Sequence, residues 1–590
     1  MINRKLLTTL AFLTINIGVS KAQDTSIFSN LYSFGDSFTA GNSWAGMLNQ
    51  RYGFRYDNSN SFANGGQTTQ DLANQLARYG VVNNSFNSNA IYAVFMGPSD
   101  LPDSFDDYQI EIINNYNREA ISQLTDGTLD FNTAFPRTNI DINVRAQNMS
   151  NFIKTLADNN AKYILFLNYF DDSLRQNPLA VIGVSNQQLS FFQNLWKNQY
   201  NKAMYVKIVE IAPNANVIYI DNDRLVTEVT TNPSSYFTQD EIDGTYNNNG
   251  YFLDAHPTLV GHRMAAQYIT SIIESPSRIA SLREIAIEIG HKHSQRARDI
   301  AVNLVDNKNA SVFQVEATGD FTRLHTNQEK LGSTKGNTMT GGLIVNYHAT
   351  DNMSIGGQLE LIKTKTDFNN GNGKATVDEY VGSLHSMYNF SNPLFIYSNL
   401  GLGKLKYDIN RHIKLGIAQR TQQGKTQGIH YMVTAGMGYV YALRENMKLI
   451  PHLVSSYQSA SLKAYLEQGQ LQSTTMFFDI PKRQSLITEI GITVKKDFIL
   501  QSGSSVNCST MVSYNYDFKN SSNKVIKGKV SDMPRTFNAP SYEISKSSLY
   551  IRGLIEGNIY NDIIIGLNGG LKPIGKTKLL HAGFSVSKAF

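Results

Sequence analysis

The sequence has a single cysteine, Cys508, in 590 residues, so no intramolecular disulfide forms and stability must come from core burial and strand pairing. Beyond the N-terminal leader, no stretch reaches the roughly 18 apolar residues that a spanning helix needs, which excludes membrane insertion by helices. Proline is scarce at 14 residues. The formal net charge is only +5, with 17% of residues charged, and no basic stripe carries interleaved aromatics, so nucleic acid is not an expected partner. No Gly-rich phosphate loop, zinc cluster or calcium loop occurs, and no cofactor is implied.

What is present falls into segments of different texture. Residues 1–22 carry Arg4 and Lys5, an uncharged run from Leu6 to Val19, and Ser20-Lys21-Ala22, the pattern of a secretion signal peptide with a small-x-small cleavage site. From 23 to 275, short apolar strands such as "IYAVFMG", "YILFLNYF" and "NVIYI" alternate with helical periods, including a long one from Gln187 to Ile211. Uniformly apolar strands between helices imply a parallel sheet with helices on both faces. Pro276 then opens a charged, alanine-rich helical stretch over 276–308, with no evident partner in the first domain.

From 309 to 590 the chain consists of about twelve Tyr- and Gly-rich segments in period-two alternation, such as "MSIGGQLELIK" and "YMVTAGMGYVYAL", separated by polar turns. It ends "HAGFSVSKAF", where Phe584, Val586 and Phe590 share a face. Alternating lipid-facing and lumen-facing residues with aromatics near segment ends predict an outer-membrane β-barrel of about twelve strands. A soluble β-sandwich also alternates. The leader, the number of long segments, the scarcity of proline and the terminal Phe590 favour the barrel.

"LYSFGDSFTAG", residues 31–41, is a strand that stops on Gly-Asp-Ser. Serine-based acyl transfer needs a base for the hydroxyl proton, a group that orients the base, and donors aimed at the oxyanion. Candidates lie at the ends of successive strands, in "ANGGQTT" (63–69), "MGPSD" (96–100) and "LDAHPT" (253–258), and a doubly wound sheet brings the carboxyl ends of its strands to one edge. Each residue also has a plainer reading: Ser37 as a turn serine, His256 as a loop residue before Pro257, Asp254 as the cap of a helix beginning near Thr258, and Gly65-Gly66 as a tight turn. His291 and His293 stand at i and i+2, which point to different helix faces, and read as polar residues of the linking helix rather than a metal pair.

This ordered set of blocks resembles the GDSL, or SGNH, family of serine esterases and lipases. The resemblance implies an SGNH-hydrolase-like α/β domain with Ser37 as nucleophile, His256 as general base and Asp254 orienting the imidazole. Ser37 and Gly66 would supply backbone oxyanion donors. Two positions depart from the family pattern. Ser99 stands where the family has an oxyanion-hole Asn, and Asp254 precedes His256 by two positions instead of three. The order of α/β passenger, helix and barrel is similar to the autotransporter esterases of Gram-negative bacteria, in which the helix occupies the barrel and the passenger is displayed at the cell surface. That implies an outer-membrane protein whose partners are an ester substrate, outer-membrane lipids and the outer-membrane assembly machinery. The expected activity is hydrolysis of carboxylic esters of acyl lipids or short acyl chains through an acyl-enzyme. The alternatives are a carbohydrate O-acetyl esterase and a surface binding or adhesion module.

Ser99 gives the first test. A serine hydroxyl donates one hydrogen bond and reaches less far than an Asn amide. If the hole is under-supplied, Ser99→Asn should raise kcat, about tenfold for each 1.4 kcal/mol of transition-state stabilisation regained; if the hydroxyl already donates, Ser99→Ala should lower it. Unchanged kcat and KM in both folded variants would remove Ser99 from the oxyanion hole.

Overall fold

The computed structural model describes residues 28–83, 85–96, 100, 141–170, 186–211, 214–253, 256–306, 313–326, 334–368, 371–390, 393–469, 472–500, 505–519, 525–533, 535–539, 545–560, 563–574 and 577–590. The leader at 1–22, Ser99 and Asp254 therefore lie outside the described residues.

The N-terminal domain is built on four short parallel strands, β1 (Leu31–Gly35), β2 (Ile91–Phe95), β3 (Tyr163–Leu167) and β4 (Val217–Ile220), in the order β1-β2-β3-β4. Nearly every residue in them is buried, as a sheet covered on both faces requires. Because the order advances in one direction, right-handed crossovers put their helices on one face. There α2 (Leu72–Asn83), α3 (Ile142–Asp158) and α4 (Asn186–Ile211) follow one another, α3 packing against both neighbours. Helix α1 (Trp44–Tyr52) packs instead against the long C-terminal helix of the domain, which follows α5 (Asn222–Thr231) and the single turn α6 (Gln239–Ile242).

That long helix, α7, runs from Leu259 to Asp306 and at 1.5 Å per residue spans about 72 Å. The sequence places a helix start at Pro276, but the helix begins at Leu259 and passes through the proline. An interior proline costs about 3 kcal/mol through its missing N–H and ring clash. Here burial on both sides outweighs that cost: Ile269, Ile272 and Ile273 are fully buried before it, and Ile279, Ala280 and Leu282 almost fully after it. Glu274, fully buried, receives Arg51 Nε and Nη2 of α1 at 3.0 Å each and the guanidinium of Arg278 one turn on.

The C-terminal part is a closed antiparallel barrel. Twelve strands form it: β5 (Phe313–Thr326), β6 (Thr334–Thr350), β7 (Met353–Phe368), β8 (Gly373–Asn389), β9 (Leu394–Leu415), β10 (Ala418–Tyr439), β12 (Met447–Ala460), β15 (Arg483–Ile499), β16 (Ser505–Asp517), β19 (Ser547–Tyr560), β20 (Ile563–Ile574) and β21 (Thr577–Ala589). Closure comes from β21 pairing with β5 and from β10 pairing with β12; a short strand, β11 (Tyr441–Arg444), flanks β12. At one end Phe590 N donates to Phe313 O at 2.8 Å. Leucines 343, 359, 384 and 400 point outward and exposed, while Thr364, Glu360, Glu379, His430 and Glu489 point inward and buried. No described helix is long and apolar enough to cross a membrane; the crossing is made by strands.

The second half of α7 fills the lumen. Arg296 pairs with Asp320 and Glu360, and Arg298 with Glu489. Lys292 Nζ donates to Thr322 Oγ1 at 2.7 Å. His293 approaches Glu360 of β7 at 2.9 Å and His291 approaches Glu489 of β15 at 3.7 Å, so the two histidines do face different walls. Gly290 lies so close to the wall that a Cβ there would stand 2.3 Å from Gln458 Oε1 and 2.7 Å from His430 Cε1.

Strands β9 and β10, at 22 residues each, outrun the 10–15-residue segments read from the sequence because their tips leave the membrane and reach the passenger. Gly416 N donates to Gln267 Oε1 at 2.9 Å and Ile417 N to Tyr236 O at 3.0 Å. Two other loops contribute β13 (Tyr465–Leu466), β14 (Met476–Asp479), β17 (Ile526–Val530) and β18 (Phe537–Ala539), a small four-stranded sheet. Arg420 Nη1 donates to Glu228 Oε2 at 2.7 Å, Tyr268 Oη to Ser473 O at 2.9 Å, and Asn216 exchanges two hydrogen bonds with the backbone of Asn538. The passenger is clamped, not tethered.

Leu359 lies six residues up β7 from its start at Met353, on the outward face. A cation at mid-bilayer on a lipid-facing position costs about 2–4 kcal/mol, so Leu359→Arg should lower barrel stability by that amount in urea titrations in lipid vesicles. An unchanged midpoint would mean that this face does not meet hydrocarbon.

Candidate active site

Ser37 follows β1 by two residues, at a turn that only glycine permits. Gly35 has φ +148°, and a Cβ there would stand 2.2 Å from Phe95 O of β2 and 2.8 Å from Thr39 Oγ1. Asp36 turns inward, fully buried, and its Oδ1 accepts from Phe38 N at 3.0 Å while its carbonyl accepts from Thr39 N and Ala40 N. Ser37 is left partly exposed at the carboxyl edge of the sheet.

His256 arrives from the loop between α6 and α7. A narrow hairpin holds it: Phe252 and Pro257 form an isolated bridge, Leu253 N donates to His256 O at 3.1 Å, and Asn249 Oδ1 accepts from Tyr251 N and Phe252 N. His256 Nε2 lies 2.9 Å from Ser37 Oγ, across 219 residues of sequence. The imidazole rests on Phe38, with ring centroids 5.0 Å apart, and Phe38 packs on Phe95 and Phe170. His262, one turn into α7, has its pKa pushed down to about 4 by burial and by the neighbouring His256, and is neutral at pH 7.

Gly66 has φ +72°, a left-handed conformation that glycine adopts without strain. Its neighbour Gly65 lies beside Ser37, where a Cβ would be 3.8 Å from the Ser37 Cβ. Among the described residues, neither Ser37 N–H nor Gly66 N–H is used in a hydrogen bond. The structure thus brings Ser37, His256 and the Gly65-Gly66 turn together.

Two buried polar residues next to this cluster were given no role from sequence. Gln75 of α2 bonds both the N–H and the C=O of Gly35. Asp100 accepts from Thr69 N at 3.0 Å and Thr69 Oγ1 at 3.2 Å and lies 3.2 Å from Arg145 Nη1. Burial pushes the Asp100 carboxyl up to about 6, against the lowering effect of Arg145 and the Thr69 bonds. Asp100 could have been singled out as the acid ending "MGPSD"; Gln75 leaves no local signal.

The amino end of the sheet faces the barrel, since Asn216, just before β4, is bonded to Asn538 of the barrel loops. Ser37 and His256 lie at the opposite, carboxyl end.

Residues 31–269 match the family model for the GDSL-like lipase/acylhydrolase, and residues 313–570 that for the autotransporter β-domain. The chain joins a GDSL-like lipase domain to an autotransporter β-domain. Its barrel spans the outer membrane and carries the GDSL-like domain on the outer surface. Among curated proteins, the chain is 24% identical over 312 residues to esterase EstA of Pseudomonas aeruginosa, covering 48% of each. It is 22% identical over 308 residues to lipase 1 of Photorhabdus luminescens, covering 48% of this chain and 45% of that one. A match to an uncharacterized protein from the trpE-trpG intergenic region of Pseudomonas putida, 22% identical, covers 63% of this chain and 65% of the other. The chain thus spans less than two thirds of the length of these relatives. Among solved structures, the translocator domain of the autotransporter NalP from Neisseria meningitidis aligns with a TM-score of 0.40 and 11% identity, over 52% of this chain and 99% of that one.

Gly35 offers a direct test of the turn. A side chain at this φ costs about 1–3 kcal/mol before any clash, so Gly35→Ala should lower the thermal midpoint of the GDSL-like domain and shift Ser37 away from His256. A variant with native midpoint and native reactivity of Ser37 would show that the turn tolerates a Cβ.

Proposed function

We propose that this protein is a surface-displayed serine hydrolase of carboxylic esters, anchored by its own barrel. The observation that carries the reading is the 2.9 Å approach of His256 Nε2 to Ser37 Oγ at the carboxyl edge of the sheet, next to the Ser37 and Gly66 backbone N–H groups, which make no hydrogen bond among the described residues. His256 takes the Ser37 proton as Oγ attacks the ester carbonyl carbon. The carbonyl oxygen becomes an oxyanion facing the N–H groups of Ser37 and Gly66. His256 then returns the proton to the leaving alkoxide, and the C–O bond breaks to give the acyl-enzyme. Water, deprotonated by the same imidazole, releases the acid and restores Ser37. Asp254 is assigned to orient the imidazole and Ser99 to add an oxyanion donor, both on family resemblance. Acyl lipids or short-chain esters are the substrate class, in line with relatives named esterase and lipase. Outer-membrane lipids and the assembly machinery that inserts barrels are the partners of the second domain.

Ser37→Ala should lower kcat on p-nitrophenyl esters by several orders of magnitude while the barrel still reaches the outer membrane. Whole cells should lose the activity on treatment with external protease. Residual activity within tenfold of wild type would rule Ser37 out as nucleophile.

A further inference from the structure

We propose that Gln75 and Asp100 are positioning residues for this site: without touching substrate, they fix the Gly66 turn relative to Ser37 at the separation an oxyanion needs. The proposal rests on the ester-hydrolase reading. Three chain segments meet here: the end of β1 at Gly35, the Gly65-Gly66 turn, and Asp100 after β2. Backbone bonds tie the first two together only as far as Asn64 N, which donates to Gly35 O at 3.1 Å. Gln75 is fully buried, and both ends of its amide are used. Oε1 accepts from Gly35 N at 2.9 Å, and Nε2 donates to Gly35 O at 2.8 Å and to Gln67 Oε1 at 2.7 Å. Gly35 lies two residues before Ser37 and Gln67 directly follows Gly66, so one side chain spans nucleophile turn and donor turn.

Asp100 performs the same service from the other side. It is 2% exposed, and its Oδ1 holds both the N–H and the hydroxyl of Thr69, three residues after Gly66. Arg145 of α3 supplies the counter-charge at 3.2 Å, and Asp71 and Tyr200 also face the carboxylate. Volume alone could be filled by leucine at both positions. Buried polar groups at this density carry a desolvation cost that satisfied hydrogen bonds only offset, and what they add over an apolar filling is fixed direction. Ionised at neutral pH, Asp100 is a strong acceptor; protonated, near pH 6 and below, it loses much of that strength.

The test uses the full-length protein, with active sites counted by the burst on a p-nitrophenyl phosphonate. For Gln75→Leu, Gln75→Glu and Asp100→Asn, kcat per titrated site on p-nitrophenyl butyrate should fall about 10–100-fold, the scale of an ångström-sized misplacement, with KM within twofold and heat-modifiable barrel migration unchanged. Protonation of Asp100 should add a fall in kcat of the same size to the wild-type pH profile near pH 6, and Asp100→Asn should remove that component. Native kcat per titrated site, even with a lowered thermal midpoint, would overturn the proposal and leave both residues purely structural. If no variant folds, Thr69→Val, which removes the hydroxyl bond to Asp100, takes their place: a lowered kcat per titrated site supports the proposal, and a native one overturns it for Asp100. Absence of hydrolysis and of phosphonate burst in wild type would instead remove the ester-hydrolase reading, and the proposal with it.

Discussion

The architecture depends on α7 being one continuous rod buried in two different environments. Its first half is an apolar stripe in a water-soluble core, and its second half is a polar plug in a lumen. The apolar run continues past Pro276 to Ile289, and within it, at Glu274, Arg51 and Arg278 converge on a single buried carboxylate. A buried carboxylate without such partners is strongly unfavourable, and breaking a buried pair typically costs about 3–5 kcal/mol. Those contacts therefore require the passenger helix α1 and the first turn after Pro276 to be in place together. The proline is tolerated for the same reason: both flanks are locked, so a lost hydrogen bond does not become a hinge.

Continuity has a mechanical consequence for the site. His256 stands three residues before the first residue of α7, on a hairpin pinned by Phe252 and Pro257. The passenger is also held laterally, by Arg420 and Ser473 on Glu228 and by Asn538 on Asn216. Rod and clamp together fix the orientation of the sheet over the barrel. Ser37 and His256 stand at the end of the sheet opposite Asn216 and its contact with Asn538.

The two textures of the sequence were legible because each reflects a local rule. Runs such as "IYAVF" are buried on both faces and so read as parallel strands, and period-two runs such as "MSIGGQLELIK" have lipid on one side and a polar lumen on the other. The Gly-Asp-Ser turn was legible because the steric demand at Gly35 falls on one residue. Long-range polar pairing was not. Glu228 and Arg420 are 192 residues apart, Asn216 and Asn538 are 322 apart, and no window of sequence holds both members. Pro276 misled for the opposite reason: its local signal is strong, and tertiary burial overrode it.

Gln75 shows the limit most sharply. In α2 it sits among helix formers, "LANQLARYGVVN", where a glutamine ordinarily faces water. Its function in the fold depends on Gly35 lacking a side chain: with no Cβ, the backbone of β1 comes close enough to β2 and α2 that its N–H and C=O can be met by one amide. The glycine that shapes the nucleophile turn thus also presents the backbone N–H that Gln75 Oε1 accepts and a carbonyl that Gln75 shares with Asn64 N. A change at either residue removes the reason for the other, which is why a motif confined to residues 35–37 carries only part of the information that builds the site.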